Sequence, residues 1–141
     1  MQKGRKLGLD FGSTRIGVAI CDPDGILATP HSTIPSAPSG SSLISEIKSI
    51  CKSEEIVAIV VGLPRSLNGE ISHAANLVND FIVELTSQLP DIPVLTFDER
   101  FTTTLASQAL RASGRNAKEG RAVIDQIAAV NILQSYLDAN E

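Results

Sequence analysis

The chain predicts an α/β fold: a five-stranded mixed sheet, made of a three-stranded antiparallel meander plus two parallel strands, flanked by helices. Three observations predict it. The first third alternates apolar and polar residues in short runs separated by tight polar turns, the mark of antiparallel strands with one face in the core. Residues 56 to 64, "IVAIVVGLP", form a continuously apolar run rich in β-branched residues, as in a parallel strand buried on both faces. The intervals around the later strands carry apolar residues at helical spacing, as crossovers between parallel strands require.

The elements follow in order. In residues 5 to 13, Leu7, Leu9 and Phe11 fall on one face and Gly8, Asp10 and Gly12 on the other. "RIGVAICD" is a second strand, reached through "GST". "DPDG" is a turn before a third strand around "ILATPHSTI". "PSAPSGSS" reads as a loop, and a helix is predicted from Ser42 to Glu54 with Leu43, Ile44, Ile47 and Ile50 inward. After the 56–64 strand, "RSLNGE" supplies an Asn-Gly turn. Residues 71 to 89 repeat Ala74, Leu77, Val78, Phe81, Ile82 and Leu85 at helical spacing. "IPVLTF" at 92–97 is a fifth strand, "TTTLASQAL" starts a short helix behind a threonine cap, and "SGRNAKEG" is a loop. A last helix is predicted from Arg121 to Ala139.

Composition bounds the possibilities. At 141 residues and 43% hydrophobic, the chain suffices for one domain, 1–141, that folds without disulfides. No apolar run approaches the roughly 18 residues of a membrane span, and "MQKGRKLG" has no signal-peptide core, so a cytoplasmic protein with no membrane partner is expected. Cys21 and Cys51 form no CxxC pair and are expected as free thiols; His31 and His73 lack metal-ligand spacing. A net charge of −4 argues against holding nucleic acid by bulk electrostatics. Local basic clusters remain: Lys3, Arg5 and Lys6 at the start, and Arg111, Arg115, Lys118 and Arg121 before the last helix.

Ligands of open α/β sheets bind beyond the carboxyl ends of the parallel strands, and acids gather there. Asp10 is on the first strand, Asp98 and Glu99 end the fifth in "DER", and Asp125 lies on the last helix in line with Ala129, Ile132 and Tyr136. Each acid also has a structural use, as a turn partner, a helix cap or a first-turn acid suited to the helix dipole. Gathered in one place, however, carboxylates resist burial unless a cation sits among them. Arg15 or Arg100 could supply that charge; a divalent metal does so more economically, and oxygen-only ligands suit Mg²⁺ or Mn²⁺.

"LDFGSTRIGVA", "VVGLPRSLNGE", "FDERFTT" and "KEGRAVIDQIAAVNILQSYL" together resemble the YqgF/RuvX family of Holliday junction resolvases, also described as pre-16S rRNA nucleases, which has an RNase H-like three-layer fold. The resemblance spans nearly the whole chain. It implies Asp10, the Asp98–Glu99 pair and Asp125 as catalytic acids, with Asp10, Glu99 and Asp125 as metal ligands for two ions of Mg²⁺ or Mn²⁺. Glu99 is preferred over Asp98 because alternation from Val94 sets Asp98 with Thr96 and Glu99 with Phe97. Arg15, Arg65 and Arg100 are expected to hold phosphate oxygens, and Arg111 and Arg115 to contact the strand beyond the cut. The expected activity is a metal-dependent phosphodiester hydrolase that processes the 5′ end of pre-16S rRNA, with pre-rRNA or a ribosome precursor as partner. Resolution of branched DNA by a Holliday junction resolvase is the alternative, and the chain is expected to be a monomer or weak homodimer. "LDFGSTRIGVAI" also resembles the phosphate hairpin of actin-like and sugar-kinase ATPases; no second hairpin of that type follows, which disfavours a nucleotide-binding module. A non-catalytic ribosome-assembly protein of the same fold is the remaining reading.

Overall fold

The computed structural model describes residues 4–11, 15–35, 40–63, 73–98 and 117–139. Their order is β1 (Arg5–Phe11), β2 (Arg15–Cys21), β3 (Ala28–Pro35), α1 (Gly40–Ser53), β4 (Ile56–Leu63), α2 (His73–Gln88), β5 (Val94–Asp98) and α3 (Ala117–Ala139). The strands form one five-stranded sheet in the order β3-β2-β1-β4-β5. β1 pairs antiparallel with β2 and parallel with β4; β2 pairs antiparallel with β3 and β4 parallel with β5. This is the mixed sheet that the alternating and continuous apolar runs predict.

Each sheet face is closed by its own helices. Leu7, Leu9, Ile16, Val18, Ile59 and Val61 pack with Leu43, Ile44 and Ile47 of α1 and Val78, Phe81 and Leu85 of α2. Phe11 meets Phe81 edge to face, with ring centroids 4.6 Å apart. On the opposite face, Ala19, Cys21, Ala28 and Val60 receive Ala129, Ile132, Leu133 and Leu137 of α3. The period-two alternation of β1 thus sorts its residues between two helical layers.

Gly8 belongs to the α3 side. A Cβ placed there would lie 2.8 Å from the Cβ of Leu133 and 3.1 Å from the carbonyl oxygen of Ala129. Glycine is therefore required because the helix crosses the strand in near contact. The glycines beside Asp10 suggest an opening for a metal; at Gly8 that space is filled by α3.

Several boundaries differ from the sequence reading. α3 begins at Ala117, four residues into the expected loop "SGRNAKEG". Ala117, Lys118 and Glu119 are good helix formers, and a single Gly120 costs only about 1 kcal/mol there, which a long helix tolerates. Ile26 and Leu27, assigned to a strand, instead lie in the turn before β3 and are exposed. The Asp22 carboxylate organises that turn, accepting the N–H groups of Ile26 at 2.7 Å and Leu27 at 2.9 Å. These two bonds hold the Asp22 carboxyl below its ordinary range. Residues 92 and 93 precede β5 rather than joining it. The short helix expected at "TTTLASQAL" and the turns at "GST" and "RSLNGE" lie outside the described residues.

Of the amino-terminal basic cluster, Arg5 and Lys6 are engaged within the fold, and Lys3 lies outside the described residues. Arg5 is ion-paired with Glu54 at 2.7 Å, and Lys6 is buried on the α3 side of β1. Cys21 and Cys51 are free and buried, and burial raises both thiol pKa values, Cys51 to about 11. No helix among the described residues is long and apolar enough to cross a membrane.

Candidate active site

Asp10 is the penultimate residue of β1, at the strand's carboxyl end, and is half-buried rather than enclosed. Lys6 and Gly8 precede it on the α3 side of the sheet, so alternation gives Asp10 the same side. It pairs with Gly17 of β2, which pairs in turn with Thr33 of β3. Residues directly opposite in neighbouring strands share a face, so Asp10, Gly17 and Thr33 form one row under α3.

The helix is tied to that same row. Gln126 donates its Nε2–H to Thr33 Oγ1 at 3.0 Å. Further along, Gln134 accepts the Ala28 N–H at 2.8 Å and donates to the Ile26 carbonyl at 3.0 Å, beside the start of β3. α3 thus runs antiparallel to β1. Its Gln126 reaches the row that contains Asp10, while Ala129 and Leu133 lie over Gly8. Sequence spacing alone places Asp125 on the Ala129–Ile132–Tyr136 ridge. Ala129 and Ile132 of that ridge are buried against the sheet, and Tyr136 packs beside them.

Arg15 opens β2, two residues before Gly17 and on the same side of the strand, one pleat beyond Asp10. Asp98 closes β5, paired with Leu63, next to the pair formed by Phe97 and Gly62. Phe97 packs into the α3-side cluster, whereas Val94 packs into the cluster of α1 and α2. The alternation read from the sequence is therefore the alternation of β5. Glu99, Arg65, Arg100, Arg111 and Arg115 lie outside the described residues, as do the side chains of Asp98 and Asp125. Among the described residues, no three His, Cys, Asp or Glu side chains form a metal-binding group.

Asp10 differs from three other described acids, Glu54, Asp22 and Asp138, in how its charge is used. Glu54 is held by Arg5, Asp22 by backbone N–H groups and Asp138 by Gln134. Among the described residues, no hydrogen bond or ion pair engages the Asp10 carboxylate. A half-exposed carboxylate at a strand's end, with Arg15 on its side, suits a cationic ligand and the phosphate that accompanies it. The Gln126–Thr33 bond was not foreseen; its only trace in the sequence is a glutamine following the helical acid.

Comparison with known proteins decides the family. The family model described as RuvX, Holliday junction resolvase, matches residues 4–139. The chain belongs to the RuvX family. A relative from Nocardia farcinica is 50% identical over 141 residues, covering 96% of this chain and 78% of its own length. One from Streptomyces avermitilis is 49% identical over 139 residues, covering 99% and 88%. Both bear the name "Putative pre-16S rRNA nuclease". Among solved structures, the RuvX chain resembles Thermus thermophilus RuvC in complex with a Holliday junction substrate. That match has a TM-score of 0.58 at 14% identity, over 96% of this chain and 94% of the other. The yeast mitochondrial Holliday junction resolvase gives 0.57 at 10% identity, over 96% and 78%. These likenesses establish the RNase H-like fold, and the RuvX family and its relatives are described as nucleases and resolvases, enzymes that hydrolyse phosphodiester bonds.

Proposed function

We propose that this protein is a divalent-metal-dependent nuclease that processes the 5′ end of pre-16S rRNA, with Asp10, Glu99 and Asp125 as the acids that hold metal. The observation that carries the reading is the Asp10–Gly17–Thr33 row, to which Gln126 ties the helix turn containing Asp125. The relatives named for pre-16S rRNA, at about half identity over nearly the full chain, support the RNA substrate.

The donor set fits Mg²⁺ or Mn²⁺: it is all carboxylate oxygen, and Asp10 is not consumed by another described partner. When bound, a pair of such ions supplies an activated water and stabilises the leaving oxygen of an in-line displacement at phosphorus. Asp10 contributes a carboxylate held by the backbone pairing of β1 with β2, so little reorganisation is required of it. The period-two pattern of the sequence, which groups Glu99 with Phe97 and Asp98 with Thr96, supports Glu99 as the metal-holding member of the pair. Arg15, on the same side of the sheet, is suited to orient a non-bridging phosphate oxygen. Arg65 and Arg100, beyond β4 and β5, extend that hold, and Arg111 and Arg115 engage the nucleic acid farther along.

The test is cleavage of a precursor 16S rRNA fragment and a four-way DNA junction, with Mg²⁺ or Mn²⁺, by wild type, Asp10→Asn and Asp125→Asn proteins purified identically. The wild type is expected to cut the RNA, and each variant to lose at least about 100-fold in rate, since asparagine keeps shape and removes charge. Junction cleavage without RNA cleavage replaces the substrate with branched DNA. Equal behaviour of all three preparations refutes the catalytic assignment.

A further inference from the structure

We propose that Gln126 and Thr33 are positioning residues: their hydrogen bond locks the axial register of α3 on the sheet, and thereby sets the helix turn bearing Asp125 opposite Asp10. The inference rests on the nuclease reading above and concerns how that site is held together.

The contacts between α3 and the sheet divide into two kinds. Ala129, Ile132, Leu133 and Leu137 are buried against Ala19, Cys21, Ala28 and Val60. Such contacts are non-directional, so they fix how deep the helix sits better than where it stops along its axis. Gly8 acts the same way, admitting the helix to near contact without pinning it. One residue of axial slip moves a helix by about 1.5 Å and also rotates it by about 100°. A displacement near 1 Å is enough to cost a reaction about 10²-fold.

Among the described residues, hydrogen bonds from two glutamines of α3 reach the β3 side at two points about two turns apart. At one, Gln134 uses its carbonyl for the Ala28 N–H and its amide for the Ile26 carbonyl. At the other, Gln126 donates to Thr33. Only the second lies in the row of Asp10, because Thr33 pairs with Gly17 and Gly17 with Asp10. The Gln134 contact anchors the opposite end of the helix, near the start of β1. The two glutamines therefore have separable consequences: loss of either weakens packing, but of these two contacts it is the Thr33 bond that holds the helix at the site.

The experiment compares Thr33→Val, Thr33→Ser, Gln126→Met, the double variant Thr33→Val/Gln126→Met and Gln134→Ala on the substrate that the wild type cleaves, with Asp10→Asn as reference. Valine keeps the shape of threonine and suits a strand; serine keeps the hydroxyl. Expected are a fall in kcat of about 10- to 100-fold for Thr33→Val and Gln126→Met with KM changed less than about threefold, and a roughly tenfold rise in the Mn²⁺ concentration giving half-maximal rate. The double variant should be no worse than the poorer single one, since both remove the same bond. Thr33→Ser should stay within about threefold of wild type. Gln134→Ala should lower Tm while leaving kcat within about threefold. Should Thr33→Val fail to fold, Gln126→Met, at a half-buried helix position, gives the same reading. If Asp10→Asn is inactive but Thr33→Val and Gln126→Met match wild type, the lock is refuted and the nuclease reading stands. If Asp10→Asn is as active as wild type, both fall together.

Discussion

Replacing Gly8 by alanine adds one methyl group where β1 and α3 nearly touch. The new Cβ would sit 2.8 Å from the Leu133 Cβ and 3.1 Å from the Ala129 carbonyl oxygen. Carbon atoms prefer separations of about 3.5–4.0 Å, so one of the two elements must retreat by roughly 0.7 Å or more. Neither neighbour can swing aside, because a Cβ and a carbonyl are fixed to the helix backbone. Overpacking of this kind costs about 1–3 kcal/mol, and relief of glycine's backbone entropy in a strand returns about 0.5–1 kcal/mol. The net loss centres on about 1 kcal/mol within a span of about 0–2.5 kcal/mol, and the central value is a fall of about 3–5 °C in Tm for a chain of this size. Thermal unfolding followed by circular dichroism reads the first effect. Cleavage kinetics read the second, since the retreat carries the Asp125 turn away from Asp10. Leu133→Ala should not rescue Gly8→Ala, because alanine retains the offending Cβ. A Gly8→Ala protein with unchanged Tm and unchanged rate would show that α3 does not lie on β1 as described.

Other outcomes follow from single groups. Glu55 has a left-handed backbone (φ 55°) just after α1, so Glu55→Gly should raise stability by about 1 kcal/mol, measured as a higher urea midpoint at constant m. Burial raises the Cys51 pKa to about 11 from an ordinary 9.0. Its neutral form therefore favours the fold fully below pH 9.0, and that contribution is lost as pH rises towards about 11; Cys51→Ala should flatten the alkaline limb of a stability profile. The Asp22 carboxyl is lowered from 3.8, so its contribution is present above that pH and is lost as pH falls below it. Asp22→Asn should accordingly show a shallower loss of Tm on acidification. Charge reversal at Arg111 and Arg115 should weaken RNA binding and reduce the slope of log affinity against log salt by about 1 or more, read from binding isotherms over a salt series.

The sheet was legible because its signals are local. Alternation in "KLGLDF", the apolar run rich in β-branched residues from Ile56 to Val61 and the turn at "DPDG" each state a strand or its end without reference to the rest of the chain. Helical spacing likewise gave Leu43, Ile44 and Ile47, and Val78, Phe81 and Leu85, all of which are buried. What failed was local too. Lys118 and Glu119 beside Gly120 read as a loop by composition, yet the packing of Ala129, Ile132 and Leu133 supports a helix long enough to absorb that glycine. The site was legible only as a set of acids. That α3 reaches the row of Asp10 at Gln126 depends on a bond between residues 33 and 126, and no pattern along the chain encodes a pairing over that distance. Gly8 shares the face of Asp10 in sequence, where a glycine needed for helix contact and one needed for ligand approach look alike, and only the approach of Leu133 and Ala129 tells them apart.

The two faces of the sheet differ in a way that bears on the chemistry. The face under α1 and α2 carries leucine, isoleucine and valine from every central strand. The face under α3 offers Gly8, Ala19, Cys21 and Ala28 beside the larger Val60 and Phe97, and α3 meets it through Ala129 as well as larger residues. Small side chains on both partners let a helix approach its sheet closely. Aspartate is the shortest acid, so a site shared between a strand aspartate and a helix aspartate needs such an approach; a face of valines and isoleucines would hold the two backbones too far apart. Asparagine and alanine variants at the acids test the charges alone. Gly8, Thr33 and Gln126 carry no charge, and on this account they matter as much, since they determine whether the charges meet.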